Sequence, residues 1–335
     1  MKKIFILILA LTASLTVTAQ GDYTEDILGK EFQQKTLHLG YDYDGEVVAT
    51  LVRRTPLEGV KRAVLYVHGY NDYFFQSALG ERFAQEGYQF YAVDLRKYGR
   101  SLRKGDELFK VRKIDEYFAD IDSSIEVMLS EGVEEIVVMG HSTGGLITSL
   151  YLDERAGKYP IKALILNSPF FDMNLSPILE GVAIPVVSFI GRVFKDVVVL
   201  PGSDSLSLYA RSLLKQYDGE WSFDTNLKTI TSEPITSGWL RAIHSAQRKL
   251  RRGLDITCPV LVMHSDKSTS GSWSEEYLSS DTVLDVEDIS RYTNRLGAKT
   301  TQKVIKGGMH DLILSAPAVR ENAYTEMFDF LTTVF

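Results

Sequence analysis

The sequence predicts an α/β fold, in which a mainly parallel sheet carries helices on both faces and is interrupted once by an inserted helical cap. Three observations support this expectation. Short β-branched runs alternate with helix-period stretches over most of the chain, which is how a parallel sheet with crossover helices reads in sequence. One interval, roughly 170 to 254, separates two core strands by far more residues than a βα connection needs. The chain has 335 residues, too many for one small core and enough for one large α/β domain with an insertion.

The eight expected strands are Thr36–Tyr43, Val47–Val52, Ala63–Val67, Gln89–Val93, Ile136–Met139, Ala163–Leu166, Val260–Met263 and Thr301–Ile305. Asp44-Gly45 between the first two is a type I′ hairpin signal, so an antiparallel start feeds a parallel sheet. Amphipathic patterns place helices at Phe74–Glu86, Asp115–Ser130, Gly145–Arg155, Val286–Leu296 and Ala318–Leu331. In the insertion, the apolar run Ile178–Phe194 contains Gly181, Pro185 and Gly191, which suggests a kinked helix pair rather than a membrane span. Such a pair either lines an acyl-chain pocket or buries itself against the body of the protein. The expected divisions are 1–19 as a signal peptide, 20–169 and 255–335 as the two parts of the core, and 170–254 as the cap.

The N-terminus reads Met1-Lys2-Lys3, then apolar Ile4 to Leu11, then small and polar residues to Val17-x-Ala19. A basic stretch, a short apolar run and a small-residue cleavage site make a secretory signal, so a periplasmic or secreted mature chain beginning at Gln20 is expected. Cys258 is the only cysteine, which excludes an intramolecular disulfide, and its place before an apolar strand suits a buried, inert thiol. A formal net charge of −7 argues against nucleic acid as a partner. Lys249, Arg251 and Arg252 form a local basic cluster, whose default reading is a solvated surface and whose alternative is transient contact with anionic lipid headgroups or substrates. Nothing in the sequence calls for an obligate protein partner.

The strongest local signal is Gly140-His141-Ser142-Thr143-Gly144-Gly145, directly after a strand run and directly before a helical one. This is G-x-S-x-G in the strand-turn-helix context that presents a serine nucleophile at the carboxyl edge of a sheet. Glycines two before and two after Ser142 suit the crowding of such a turn. An oxyanion hole needs two donors: the Thr143 N–H, next after the nucleophile, and the Tyr70 N–H, on the loop after the strand that ends Val67-His68-Gly69. His68 is read as organising that loop rather than as the base.

In this arrangement the chain order is nucleophile, acid, histidine. His310 is the expected base, because it follows the last strand within Lys306-Gly307-Gly308-Met309-His310-Asp311. His38, His141, His244 and His264 lie in less suitable places. The acid is expected after Val260–His264, where Asp281 is favoured and Asp266 is the alternative. Asp281 precedes two apolar residues and a helix start, which makes Lys267–Ser280 a surface insertion and Asp285 a helix cap.

On Val67-His68-Gly69, Asp94-x-Arg96-x-x-Gly99-x-Ser101, Gly140-His141-Ser142-x-Gly144-Gly145 and Gly308-x-His310-Asp311, the chain resembles the monoacylglycerol lipase, lysophospholipase and serine-aminopeptidase-like branch of the α/β hydrolases. Two departures stand out: Lys97 replaces the first glycine of the family's D-x-R-G-x-G-x-S turn, and His264-Ser265 stands where His-Gly and a nearby Asp are usual. The resemblance implies an α/β-hydrolase fold and cleavage of carboxylic esters, such as monoacylglycerols or lysophospholipids, through an acyl-enzyme. No metal or organic cofactor is implied, since no His/Cys/Asp cluster has ligand spacing. Two other readings remain. An aminopeptidase would need an acidic anchor for the substrate amino group, for which Asp218, Glu220 and Asp224 are the candidates, and a non-catalytic exported binding protein would keep the fold without the chemistry.

Overall fold

The structure, a computed structural model, describes residues 22–174 and 183–335. The expected signal peptide, and residues 178–182 of the expected cap helix pair, lie outside the described residues. The first half of the chain forms β1 (Thr24–Asp26), β2 (Gly29–Tyr41), β3 (Glu46–Arg54), β4 (Arg62–Val67), α1 (Ser77–Gln85), β5 (Gln89–Asp94), α2 (Phe118–Ser130), β6 (Glu135–His141), α3 (Thr143–Glu154) and β7 (Ile161–Asn167). The interval after β7 holds α4 (Ile184–Ile190), β8 (Val198–Leu200), α5 (Leu208–Leu213), β9 (Ile235–Thr236) and α6 (Ser237–Arg251). The chain then returns to the sheet with β10 (Val260–Ser265), α7 (Val286–Thr293), β11 (Thr300–Ile305) and α8 (Pro317–Val334).

The strand order is β1-β2-β3-β5-β4-β6-β7-β10-β11. The pairs β1–β2, β2–β3 and β3–β5 are antiparallel, and every pair from β5 onward is parallel. This is the α/β-hydrolase architecture, with nine strands rather than the expected eight. The additional strand is β1, whose three residues are too few to show an alternating pattern. It is held by chemistry from elsewhere: the Arg100 guanidinium donates to both carboxylate oxygens of Asp26, at 2.7 and 2.8 Å.

The hairpin between β2 and β3 also differs from expectation. Tyr41 pairs with Glu46, so the connection is a four-residue loop closed by Asp42 N–H to Gly45 O at 2.8 Å, and only Gly45 has positive φ. A type I′ turn needs two such residues. Tertiary contacts explain the difference: the buried Lys97 ammonium reaches the carboxylates of Asp42 and Asp44 at 3.1 and 2.6 Å, and Tyr43 OH donates to Glu116 at 2.9 Å.

The sheet has a core on each face. Ala63, Leu65 and Val67 of β4 point to the side that carries α2, α3 and α6, and Val64 and Tyr66 to the side of α1 and α8. With both faces covered, alternation along the parallel strands is between two apolar layers, and the strands read as continuous apolar runs. In the cap, α4 packs against α6, and a two-stranded ribbon of β8 and β9 stands beside them.

Candidate active site

β6 runs straight into Ser142, whose backbone sits at φ 52°, ψ −118°, and α3 begins at the next residue. Such a conformation is sparsely populated for a residue with a side chain and persists only where its surroundings enforce it. The enforcement here is close packing at two glycines. A Cβ on Gly140 would lie 2.4 Å from Thr148 Oγ1, and one on Gly144 would lie 2.3 Å from the Val67 carbonyl oxygen. Thr143 is the first residue of α3, so its N–H has no partner within the helix and adds to the positive end of the helix dipole.

The β4 loop passes the same point. A Cβ on Gly69 would meet Ser142 Cβ at 3.0 Å, which sets Tyr70 just beyond the Ser142 turn. His68 fixes this loop from below: its Nδ1 donates to Gly69 O at 2.7 Å, and its Nε2 accepts from Leu95 N–H at 3.0 Å. Both bonds are satisfied by one neutral tautomer, and burial pushes the His68 pKa down.

Three of the expected residues come together in the buried interior at the carboxyl ends of the strands. His310 Nε2 lies 3.0 Å from Ser142 Oγ, and His310 Nδ1 lies 2.9 Å from Asp281 Oδ2. The other oxygen of Asp281 accepts from the N–H groups of Val283 and Leu284 at 2.9 and 2.8 Å, which fixes the plane of the carboxylate. Asp266 stands apart: it is exposed, and it accepts from Gly307 N–H at 2.7 Å. Asp285 accepts from Glu287 N–H at the start of α7.

Sequence reading missed a second buried layer beneath these groups. Asp311 accepts from Asn167 Nδ2 at 2.7 Å and from Gln76 Nε2 at 3.1 Å, tying the His310 loop to the end of β7 and to the loop before α1. A polar residue closing the apolar strand Ile161–Asn167 was the available signal. Lys228 of the cap donates to Asp72 at 2.8 Å, with both side chains buried, and Asp72 lies 3.7 Å from His141. No sequence signal links residues 72 and 228. Although burial acts in the opposite direction, the Asp311 and Asp72 carboxylates raise the His141 pKa, and Lys228 with His141 holds Asp72 well below the usual carboxylate range.

The D-x-R turn braces the same region. Asp94 accepts from Phe74 N–H and from the Arg100 backbone and guanidinium, and Arg96 pairs with the buried Asp120 at 2.6 Å. Lys97 occupies its glycine-like position at φ 63° and uses its side chain to hold the β2–β3 loop. Asp218 and Asp224 are exposed on the cap, where Asp218 pairs with Arg211 and Asp224 accepts from Asn226; Glu220 is exposed as well. Of the basic cluster, Lys249 pairs with Asp153 and Glu154, and Arg251 bonds to Asp172. Among the described residues no group of His, Cys, Asp and Glu is arranged to hold a metal ion.

The family model described as serine aminopeptidase, S33, matches residues 58–317, which span the Ser142 turn, the cap and the His310 loop. The chain belongs to this family of α/β hydrolases. Among its relatives, this hydrolase is 26% identical over 218 residues to a monoacylglycerol lipase of Mycolicibacterium smegmatis, covering 64% of this chain and 72% of the relative. Its fold is shared with a monoglyceride lipase of Saccharomyces cerevisiae, solved as a soluble variant with a substrate analogue, at TM-score 0.65 and 16% identity over 90% of this chain and 96% of that one. A monoacylglycerol lipase of Paleococcus ferrophilus aligns at TM-score 0.58 and 19% identity over 81% and 94% of the two chains.

Proposed function

We propose that this α/β hydrolase cleaves carboxylic esters of the monoacylglycerol or lysophospholipid class through an acyl-enzyme on Ser142. The observation that carries the reading is the continuous line from Ser142 Oγ through the two nitrogens of His310 to Asp281, at 3.0 and 2.9 Å. In the proposed sequence His310 Nε2 takes the Ser142 proton as Oγ bonds to the ester carbonyl carbon. The resulting oxyanion is met by the N–H groups of Thr143 and Tyr70. Collapse breaks the bond to the alcohol, which leaves with the proton from His310. Water then loses a proton to the same imidazole, adds to the acyl carbon and releases the carboxylic acid, restoring Ser142. Asp281 keeps Nδ1 protonated and stabilises the imidazolium formed at each attack. The 26% identity to a monoacylglycerol lipase supports the substrate class.

The test is hydrolysis of a monoacylglycerol series by purified protein, together with labelling by a fluorophosphonate. Ser142→Ala is expected to abolish labelling and to lower kcat by at least about 10⁴-fold. Labelling that survives this substitution overturns the assignment. The reading includes export, with cleavage after Ala19; a protein recovered outside the cytoplasm whose mass corresponds to a chain starting at Gln20 is the expected result.

A further inference from the structure

A cavity of about 840 Å³ opens at the seam between cap and core, and none of Ser142, His310 and Asp281 lines it. Its core side is built by Arg112, Lys113 and the turn Ile114–Tyr117, and its cap side by α6 and by the turn that follows α4. In a chain of net charge −7, seven cationic and four acidic side chains line this one concavity. Two of the cations are committed, Arg96 to Asp120 and Lys249 to Asp153 and Glu154. The other five, Arg112, Lys113, Arg192, Lys195 and Arg241, make no ion pair among the described residues. The acidic members are largely engaged: Asp42 holds Lys97, Glu154 holds Lys249, and Glu116 accepts from Tyr43 OH and from the backbone N–H groups of Arg112 and Lys113.

Arg112 is the most constrained of the five. Its guanidinium lies 3.5 Å over the Tyr43 ring, and its Nε is buried with no hydrogen-bond partner among the described residues. A planar fork stacked on an aromatic ring and short of an acceptor is suited to a phosphoryl or carboxylate group. Beside it, α4 and its following turn expose Val186, Phe189, Val193 and Phe194, of which Phe189 is 71% and Val193 72% exposed. Arg192 and Lys195 belong to that same turn. One segment therefore offers apolar side chains outward and cations toward the cavity, the pairing that matches an acyl layer with its headgroups.

We infer that the seam cavity takes the phosphoryl headgroup of an anionic phospholipid, with the α4 ridge seated in the acyl layer and Arg112, Arg192 and Arg241 around the phosphate. This site is separate from the catalytic one and holds the cap side of the enzyme at a bilayer.

The experiment is cosedimentation of the full chain with phosphatidylcholine vesicles, with and without phosphatidylglycerol, beside a thermal-shift titration with inorganic phosphate. Wild-type protein is expected to partition about ten-fold more strongly to the anionic vesicles and to lose that preference in high salt. Arg112→Gln/Arg192→Gln/Arg241→Gln is expected to abolish the preference while hydrolysis of a soluble short-chain ester stays within about two-fold of wild type. Should that variant be unstable, the surface pair Arg192→Gln/Lys195→Gln takes its place. A variant that keeps the wild-type preference overturns the proposal. Saturable phosphate binding without any vesicle preference also overturns it, in favour of a small-anion site.

Discussion

Asp281 and Asp266 differ by fifteen positions along the chain, yet only Asp281 reaches His310. The carboxylate must meet Nδ1 while something else fixes its own orientation, and Asp281 satisfies both demands through the N–H groups of Val283 and Leu284. Asp281→Asn should lower kcat by roughly 10³–10⁴-fold, because the amide favours the wrong imidazole tautomer. Asp266→Asn, at an exposed site, should change it by less than about two-fold. Steady-state kinetics on one soluble ester checks both. The cue that favoured Asp281 was the apolar pair and helix start after it; the bend of the 267–280 segment that carries it back to His310 was not visible in sequence.

His264 repeats the device seen at His68. Its Nδ1 donates to Ser265 O at 2.6 Å, its Nε2 faces the Gln302 amide at 2.7 Å, and burial lowers its pKa. The folded protein therefore keeps both imidazoles neutral at a pH where an unfolded chain, with histidines near pKa ~6.5, binds protons. Their contribution to stability is present above about pH 6.5 and is lost as pH falls below it. His141, shifted upward, opposes this trend. Replacing His264 with Asn is expected to flatten the decline in melting temperature between about pH 7 and pH 5.5, measured by calorimetry. The departure from His-Gly that made the acid hard to assign thus leaves the loop-fixing role of the histidine intact.

At the scale of elements, the cap is fastened to the loops around Ser142 by paired side chains. Asn71 both donates to Thr229 O and accepts from Thr229 N–H, at 2.9 Å each, with its own backbone at φ 47°. Tyr73 OH accepts from Asp224 N–H, and Trp221 Nε1 donates to Leu314 O at 2.8 Å. Lys228 to Asp72 completes the set. Because Asn71 and Asp72 directly follow Tyr70, these bonds also hold the loop whose Tyr70 N–H is proposed to meet the oxyanion. Lys228→Met leaves a buried carboxylate without its partner and should cost about 3–5 kcal/mol. Asp72→Asn/Lys228→Met should recover part of that loss in urea unfolding, with kcat reduced more than KM is raised in the single variant. Helix positions in the core were legible from period alone, whereas these tethers join residues some 150 positions apart in sequence and have no local signature.

Over the whole molecule, alternation of apolar runs and amphipathic stretches was enough to find every strand of the sheet but β1, and the long gap after β7 located the insertion. The order of strands is set by crossover packing and cannot be read from a run of residues. Net charge was a poor guide to local charge: a chain that is acidic overall gathers five cations that make no ion pair among the described residues at the seam between cap and core, brought together from segments about 80 and 130 positions apart.

The tethers at Trp221, Asp224, Lys228 and Thr229 all end on loops that also flank Ser142 and His310. Exchanging this lid for that of a cousin is therefore not a cosmetic operation. A transplanted segment that lacks partners for Asn71, Asp72 and Tyr73 would leave a charged stump and a strained turn beside Ser142. Specificity and turnover in such a chimaera would shift together, and engineering one without the other requires keeping residues 221–229 with the host.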